Sequence, residues 1–202
     1  MSKTDNMIAK FIAWETGCQR KAGELLPIYY RRAKDYNKAK TNGTFTIKGD
    51  AGGLTVVGVT IKTYLAFLKD SGKITAEAEA RKMLVNMDYL EWHEILMKRF
   101  FNCWKADRII NTSIMEICVD FGWLCGTSTA IKRVQSALGL TADGMVGNFT
   151  LGKLNSTPAS SVHAKIKAAY KKRIEDIIKA NPLQAKFRNG WMNRINSYSF
   201  SA

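Results

Sequence analysis

Apolar residues recur every three or four positions through most of the chain and alternate with polar ones in only one short region. In "DNMIAKFIAWE", Met7, Ile8, Phe11 and Ile12 form one face of an amphipathic helix behind a capping Asp5 or Asn6, and Thr16 and Gly17 end it. "PIYYRRAKDYNKAK" lies in a segment, 18–43, with seven Lys or Arg against two acids, and reads as a solvated, partly helical stretch. "TFTIK" (44–48) alternates, and "LTVVGVT" (54–60) is β-branched around a glycine, so the two are expected to pair as a small hairpin across "GDAGG". Helices are then expected over "IKTYLAFLKDSG", stopped by Gly72, over "TAEAEARKMLV", capped by Thr75, and over "DYLEWHEILMKRFFNCW" from Asp88. "NTSIMEICVDFGWLCG" is the most apolar helix and a core element. Beyond Gly126 a capping Ser or Thr opens "AIKRVQSALG". A turn, "LTADGMVG", follows, with Asn148 able to cap a helix near "NFTLGKLN". The tail reads as a basic helix, "SVHAKIKAAYKKRIEDIIKAN", then Pro182 and a short aromatic ending. The pattern predicts a mainly α fold with one small β-hairpin.

Composition narrows the picture. A chain of 202 residues that is 46% apolar can form one sizeable core or two small modules. No run reaches the roughly 18 apolar residues of a membrane span, and "MSKTDNMIAK" has no apolar core behind its charges, so no transmembrane segment and no signal peptide are expected. The net charge of +14 attracts polyanions: nucleic acid, anionic lipid or the carboxylate-bearing bacterial wall. Nucleic acid ranks lower, because no recognised binding motif accompanies the charge and the aromatics do not interleave with it. Cys18, Cys103, Cys118 and Cys125 have no CxxC spacing and His93 and His163 are far apart, so no metal site is expected and the cysteines read as buried free thiols. No cofactor is implied.

One carboxylate stands out. Glu15 follows Phe11 by four positions and Ile12 by three, which puts it on the apolar stripe of the first helix, not on the wet side. It also falls in the last turn, where unpaired carbonyls disfavour a further negative charge. A carboxyl group placed so that it can give up a proton is what a glycosidase general acid requires. The plainer alternative is a helix-end side chain turned out to water. Thirty-five residues on, the glycine-cornered stretch offers Asp50 and Thr55. Asp after Gly and before Gly-Gly is also ordinary turn chemistry. Asp120, inside the core helix, reads more readily as a structural hydrogen-bonding group than as a catalyst. Trp123 and Trp191 suit either stacking on sugars or the core.

In order, "FIAWETG", "DAGGLTVVGVT", "VDFGWLCGTSTAIKRVQSALGLTADGMVGNFTLGKLN" and "FRNGWMNRIN" resemble the signature blocks of glycoside hydrolase family 108, bacterial and phage N-acetylmuramidases that include proteins described as secretion activators. The resemblance implies a lysozyme-like helical fold with a small β-hairpin, packed against a helical C-terminal peptidoglycan-binding module. It implies a catalytic region over 1–110 and a peptidoglycan-binding region over 111–202. It puts the family's catalytic glutamate on Glu15, the aspartate and threonine of its D-P-G-G-x-T motif on Asp50 and Thr55, and a later aspartate on Asp120. Gly53, Gly58, Asp120 and Trp123 become candidate substrate contacts. Thr16 replaces a family glycine, Ala51 the motif's proline and Leu124 a later asparagine.

The activity so implied is hydrolysis of the β-1,4 bond between N-acetylmuramic acid and N-acetylglucosamine, with Glu15 protonating the leaving oxygen. Asp50 would orient or deprotonate a water or stabilise developing positive charge, and Thr55 would help hold that water. If Asp50 points away, a lytic transglycosylase becomes the alternative. A non-catalytic wall-binding or secretion-accessory protein is the other. The expected partner is peptidoglycan at the cell wall or periplasm, reached from the cytoplasm through a holin or other export partner.

Overall fold

A computed structural model describes residues 3–47 and 52–201 of the chain. Among the described residues it has ten α-helices and one two-stranded antiparallel sheet, the mainly helical architecture the apolar periodicity predicts. The chain divides into two compact units, Met1–Leu96 and Met97–Ala202.

The first unit contains α1 (Lys3–Thr16), α2 (Leu26–Lys40), β1 (Thr55–Val56), β2 (Val59–Thr60), α3 (Ile61–Asp70), α4 (Glu77–Asn86) and α5 (Tyr89–Leu96). Helix α1 buries the expected stripe of Met7, Ile8, Phe11 and Ile12. Neither Asp5 nor Asn6 caps it: the helix already includes Lys3, and Asp5 lies in the first turn, where its charge meets the positive end of the helix dipole. Thr75 does not cap α4 either, since Ala76 holds that position without a side-chain bond. At α5 the Asp88 carboxylate accepts from the Glu91 amide at 2.9 Å, as the sequence suggests.

The hairpin differs from expectation. Among the described residues 44–47 there is no strand, and residue 48 lies outside them. Phe45 is buried, its φ is +52°, its amide donates to Thr41 Oγ1 at 3.0 Å, and its carbonyl accepts from the Thr55 amide at 2.9 Å. The whole hairpin is built inside "LTVVGVT". Thr55 opposes Thr60, Val56 opposes Val59, and Val57 and Gly58 form the two-residue turn. Their φ values of +46° and +78° are both positive, as a type I′ turn requires. Thr60 then caps α3, accepting from the Thr63 amide at 3.2 Å.

The second unit opens with a π-type turn (Met97–Phe101) and two short 3-10 segments. It continues through α6 (Thr112–Cys125), α7 (Thr127–Ala137), α8 (Asn148–Leu154), α9 (Ala159–Ala180), a 3-10 stretch (Pro182–Phe187) and α10 (Arg188–Ser197). Helix α6 is buried without a break from Ser113 to Gly122, the signature of a helix enclosed on all sides. No hydroxyl caps α7: Gly126 occupies the cap, and Thr127 instead donates to the Arg99 carbonyl at 2.9 Å. Gly147, not Asn148, holds the cap position of α8. The aromatic ending is also more ordered than its sequence suggests, since α10 forms there.

The four cysteines are free. Cys18 and Cys118 are buried as expected, but Cys103 is exposed. The end of the chain is tied down: Ser201 donates to Ser113 Oγ and accepts from Asn111 Nδ2, both at 2.9 Å, and Lys167 Nζ donates to the Tyr198 carbonyl at 2.8 Å. Beside this strap His163 is buried on α9, its ring 5.9 Å from that of Phe200. Burial, with Lys167 as a lesser cause, holds His163 below the usual imidazole range. The unfolded chain therefore binds a proton that the folded chain resists. Stability is full above about pH 6.5 and declines as pH falls below it, by at most about 1.4 kcal/mol per unit. His163→Leu is expected to flatten the melting temperature between pH 6.5 and 5, as followed by circular dichroism; an unchanged slope would exclude His163 as its source.

Candidate active site

The first unit holds Glu15, the candidate acid. Helix α1 ends in the sequence Glu15-Thr16-Gly17, and each residue has a separate task there. Gly17 has φ +77° and its amide bonds the Ala13 carbonyl at 2.7 Å, which closes the helix. Thr16 stands where the resembled family has glycine, yet it is fully used: its hydroxyl donates to the Ile12 carbonyl at 2.7 Å and accepts from the Cys18 amide at 3.1 Å. These bonds satisfy the last turn while Glu15 stays half-buried.

Glu15 meets the hairpin at Gly58. A Cβ added to Gly58 would lie 2.5 Å from both Cγ and Cδ of Glu15 and 2.7 Å from Oε2. The carboxylate therefore rests on the bare backbone of the turn, and glycine is required there twice, for its φ and for the approach. Gly58→Ala must push the carboxylate aside and adopt a left-handed backbone costing about 1–2 kcal/mol. We expect any hydrolysis that depends on Glu15 to fall at least tenfold while the far-ultraviolet spectrum keeps its helical form. Wild-type rates in that variant would mean that the contact has no part in the reaction.

The turn itself is braced from below. Val57 is a β-branched residue at positive φ, a conformation that costs roughly 1–3 kcal/mol. Two effects offset it. Its side chain is fully buried, worth about 1.5–2 kcal/mol, and its carbonyl accepts the buried Trp92 indole N–H at 2.9 Å, worth about 1 kcal/mol. Trp92 in turn packs against Tyr30 of α2 and Tyr89 of α5, with ring centroids 5.6 and 6.4 Å away. An aromatic cluster thus holds the strained turn under the acid.

Thr55, on β1, is half-buried, and its hydroxyl donates to the Gly53 carbonyl at 3.2 Å. Gly53 has φ +64° and open space around it. Glu15 and Gly58 thus come together, Thr55 lies on the same hairpin, and Gly53 lies just before it. Asp50 lies outside the described residues.

Two neighbours escaped the sequence reading because they sit in a charge run that looked like a solvated face. Tyr36 and Lys40 are one turn apart on α2, with the ammonium 5.6 Å from the ring centroid. Lys40 Nζ is 3.5 Å from the Thr16 carbonyl, so a cation faces the negative end of α1, one residue from the acid. Their i, i+4 spacing was the available signal. The following loop is pinned by Arg32, which grips Glu24 at 2.7 Å, also bonds Cys18 Sγ, and holds the Glu24 carboxyl down at about 2.

In the second unit Asp120 is fully enclosed. Its Oδ1 accepts from Arg194 Nε and Nη2 at 2.9 and 2.7 Å, and its Oδ2 accepts from the Tyr170 hydroxyl at 3.0 Å. In this arrangement the carboxylate is spent on interior partners. Trp123 is half-buried, with its ring 4.7 Å from that of Phe100. Among the described residues no cluster of His, Cys, Asp or Glu is arranged to hold a metal ion, and no helix is long and apolar enough to cross a membrane.

Comparison with known proteins gives two family matches. Residues 40–126 match glycosyl hydrolase 108, and residues 129–196 match a family described as "Predicted Peptidoglycan domain". The first match includes Gly53, Thr55, Gly58, Asp120 and Trp123 and begins after Glu15. The solved structure of Brucella abortus SagA has the same fold, with a TM-score of 0.64 at 21% identity over 84% of this chain and 90% of that one. Comparison with curated protein sequences gives no match.

Proposed function

We propose that this chain, whose residues 40–126 match glycosyl hydrolase 108 and whose residues 129–196 match a predicted peptidoglycan domain, is an N-acetylmuramidase whose general acid is Glu15. The coarser activity, glycoside hydrolysis of peptidoglycan, follows from the two families. The finer reading rests on one observation: the Glu15 carboxylate lies against the backbone of Gly58, in the turn of the family's glycine-rich signature.

In this mechanism the sugar chain lies across the hairpin with its glycosidic oxygen at Glu15. The acid protonates that oxygen as the bond to the anomeric carbon breaks and oxocarbenium character develops. Asp50 is the second carboxylate, orienting or deprotonating the attacking water or stabilising the cation. Thr55 donates to Gly53, which leaves its oxygen lone pairs able to accept from that water. The catalytic residues lie within 1–110 and wall contact within 111–202. The net charge of +14 favours the anionic wall as the place of action, and delivery falls to a holin or another export partner.

The deciding experiment is product analysis of purified peptidoglycan after digestion. Reducing-end muropeptides released by the wild type and not by Glu15→Gln support the muramidase. Anhydro-muropeptides would instead assign a lytic transglycosylase. No release by either protein would leave a wall-binding or accessory role.

A further inference from the structure

The most exposed aromatic residue among the described residues of the second unit has no task in the proposed catalysis. Phe149 on α8 is 88% exposed, and Met145, in the loop before it, is 69% exposed. Both side chains project from a backbone that is held firmly.

Gln135 is a buried amide on α7, and its nitrogen donates to Asp143 Oδ1 at 2.7 Å, the Met145 carbonyl at 2.9 Å and Thr150 Oγ1 at 3.2 Å. Its oxygen accepts from the Gly144 amide at 2.9 Å. One interior residue thus fixes the loop on both sides of Met145 and the first turn of α8. The far end of α8 is fixed by Asn155, which donates to the Arg108 carbonyl at 2.9 Å and accepts from the Ile110 amide at 3.0 Å. A helix of seven residues tethered at both ends is a rigid mount for whatever its outer face carries.

That outer face has a specific chemistry. Phe149 and Lys153 are four residues apart, so an aromatic ring and an ammonium share one side of α8, and Gly152 beside them is exposed and leaves the surface low. On the loop's other flank the Lys132 stem runs along Gly144, whose added Cβ would lie 3.0 Å from Lys132 Cε. Phe149, Lys132 and Lys153 are all exposed, so this part of the second unit offers a ring and two cations to solvent. A sugar presents C–H faces that stack on an aromatic ring. Peptidoglycan also carries carboxylates on its lactyl groups and peptide stems, which suit the two lysines.

We infer that Phe149 and Lys153 of α8, together with Met145 and Lys132 of the loop and helix that Gln135 ties to it, form the surface through which the second unit grips peptidoglycan. The inference deepens the proposed function and rests on its assignment of peptidoglycan as substrate. The residues lie inside the predicted peptidoglycan domain match over 129–196, and the charge of the patch complements that polymer.

The test is sedimentation of the full chain with purified, insoluble sacculi, performed in the Glu15→Gln background so that binding is read without turnover. Phe149→Ala is expected to weaken binding three- to tenfold, and Phe149→Tyr to retain it. Lys153→Ala should weaken it further in low salt and much less in high salt. Because Phe149 is exposed, an unchanged melting temperature in each variant verifies folding. Undiminished binding by Phe149→Ala would overturn the inference, as would failure of the parent to bind sacculi. A drop in molecular mass by light scattering without loss of sacculus binding would also overturn it, marking the patch as a self-association surface. Catalysis is scored separately, as release of products from soluble glycan fragments by the Glu15-containing chain, so either proposal can fail alone.

Discussion

Glu15→Gln is expected to lower the release of reducing ends from peptidoglycan by roughly two to four orders of magnitude, the usual contribution of a positioned general acid. The substitution keeps the shape and size of the side chain that rests on Gly58, so the turn meets the same atoms. It removes the ionisable carboxyl, so the side chain can no longer give up a proton. Melting temperature should therefore stay close to wild type, with a stability change within about 1 kcal/mol. Binding to sacculi should be unaffected, because the amide still occupies the same space. This combination separates two readings of a half-buried carboxylate. If Glu15 were a structural residue, the glutamine variant would lose stability and keep its rate in proportion to the folded fraction. Retention of more than about a tenth of the wild-type rate at full folding would exclude Glu15 as the acid.

The match between sequence and structure is uneven, for physical reasons. Helices were legible wherever an apolar stripe had to be buried, because the 3.6-residue repeat is a property of the buried face itself: α1 and α3 follow it, whereas α6, buried all round, was legible from its apolar density. Caps were less legible. Thr75 and Asn148 have the right chemistry for capping, but hydroxyls and amides bond locally in several ways, and the backbone reached its cap at Ala76 and Gly147 without them. The hairpin failed for a different reason. "TFTIK" has strand alternation, but a two-residue type I′ turn fits within "LTVVGVT", and a valine at positive φ is not something sequence advertises. It became possible because Trp92, thirty-five residues away, binds that valine's carbonyl.

The candidate site divides the same way. Glu15 was legible because an acid on an apolar stripe is anomalous, and Gly58 because glycine marks either a turn or a close approach. Here it marks both. Tyr36 and Lys40 were not, because a cation that lies against a helix terminus looks, in sequence, like any other cation in a basic run.

Arg194→Met is expected to be the most destabilising of the substitutions considered. The guanidinium and the Asp120 carboxylate are both buried and joined by two hydrogen bonds, so removing the cation leaves an uncompensated charge inside the second unit. Breaking such a pair from one side costs about 3–5 kcal/mol. For a unit of this size that corresponds to a fall of about 10–25 °C in melting temperature. The double variant Asp120→Leu with Arg194→Met should recover much of the loss, since it removes both charges together. Tyr170 would keep a partner, because its hydroxyl also bonds the main-chain carbonyl of residue 120 at 3.2 Å. Hydrolysis at temperatures well below the transition should be near wild type in the double variant if the pair only holds the second unit together. A rate that collapses while that variant is still folded would move Asp120 from the interior scaffold to the reaction, as its position in the family match invites one to ask. Thermal melts and initial rates measured on the same samples decide between the two.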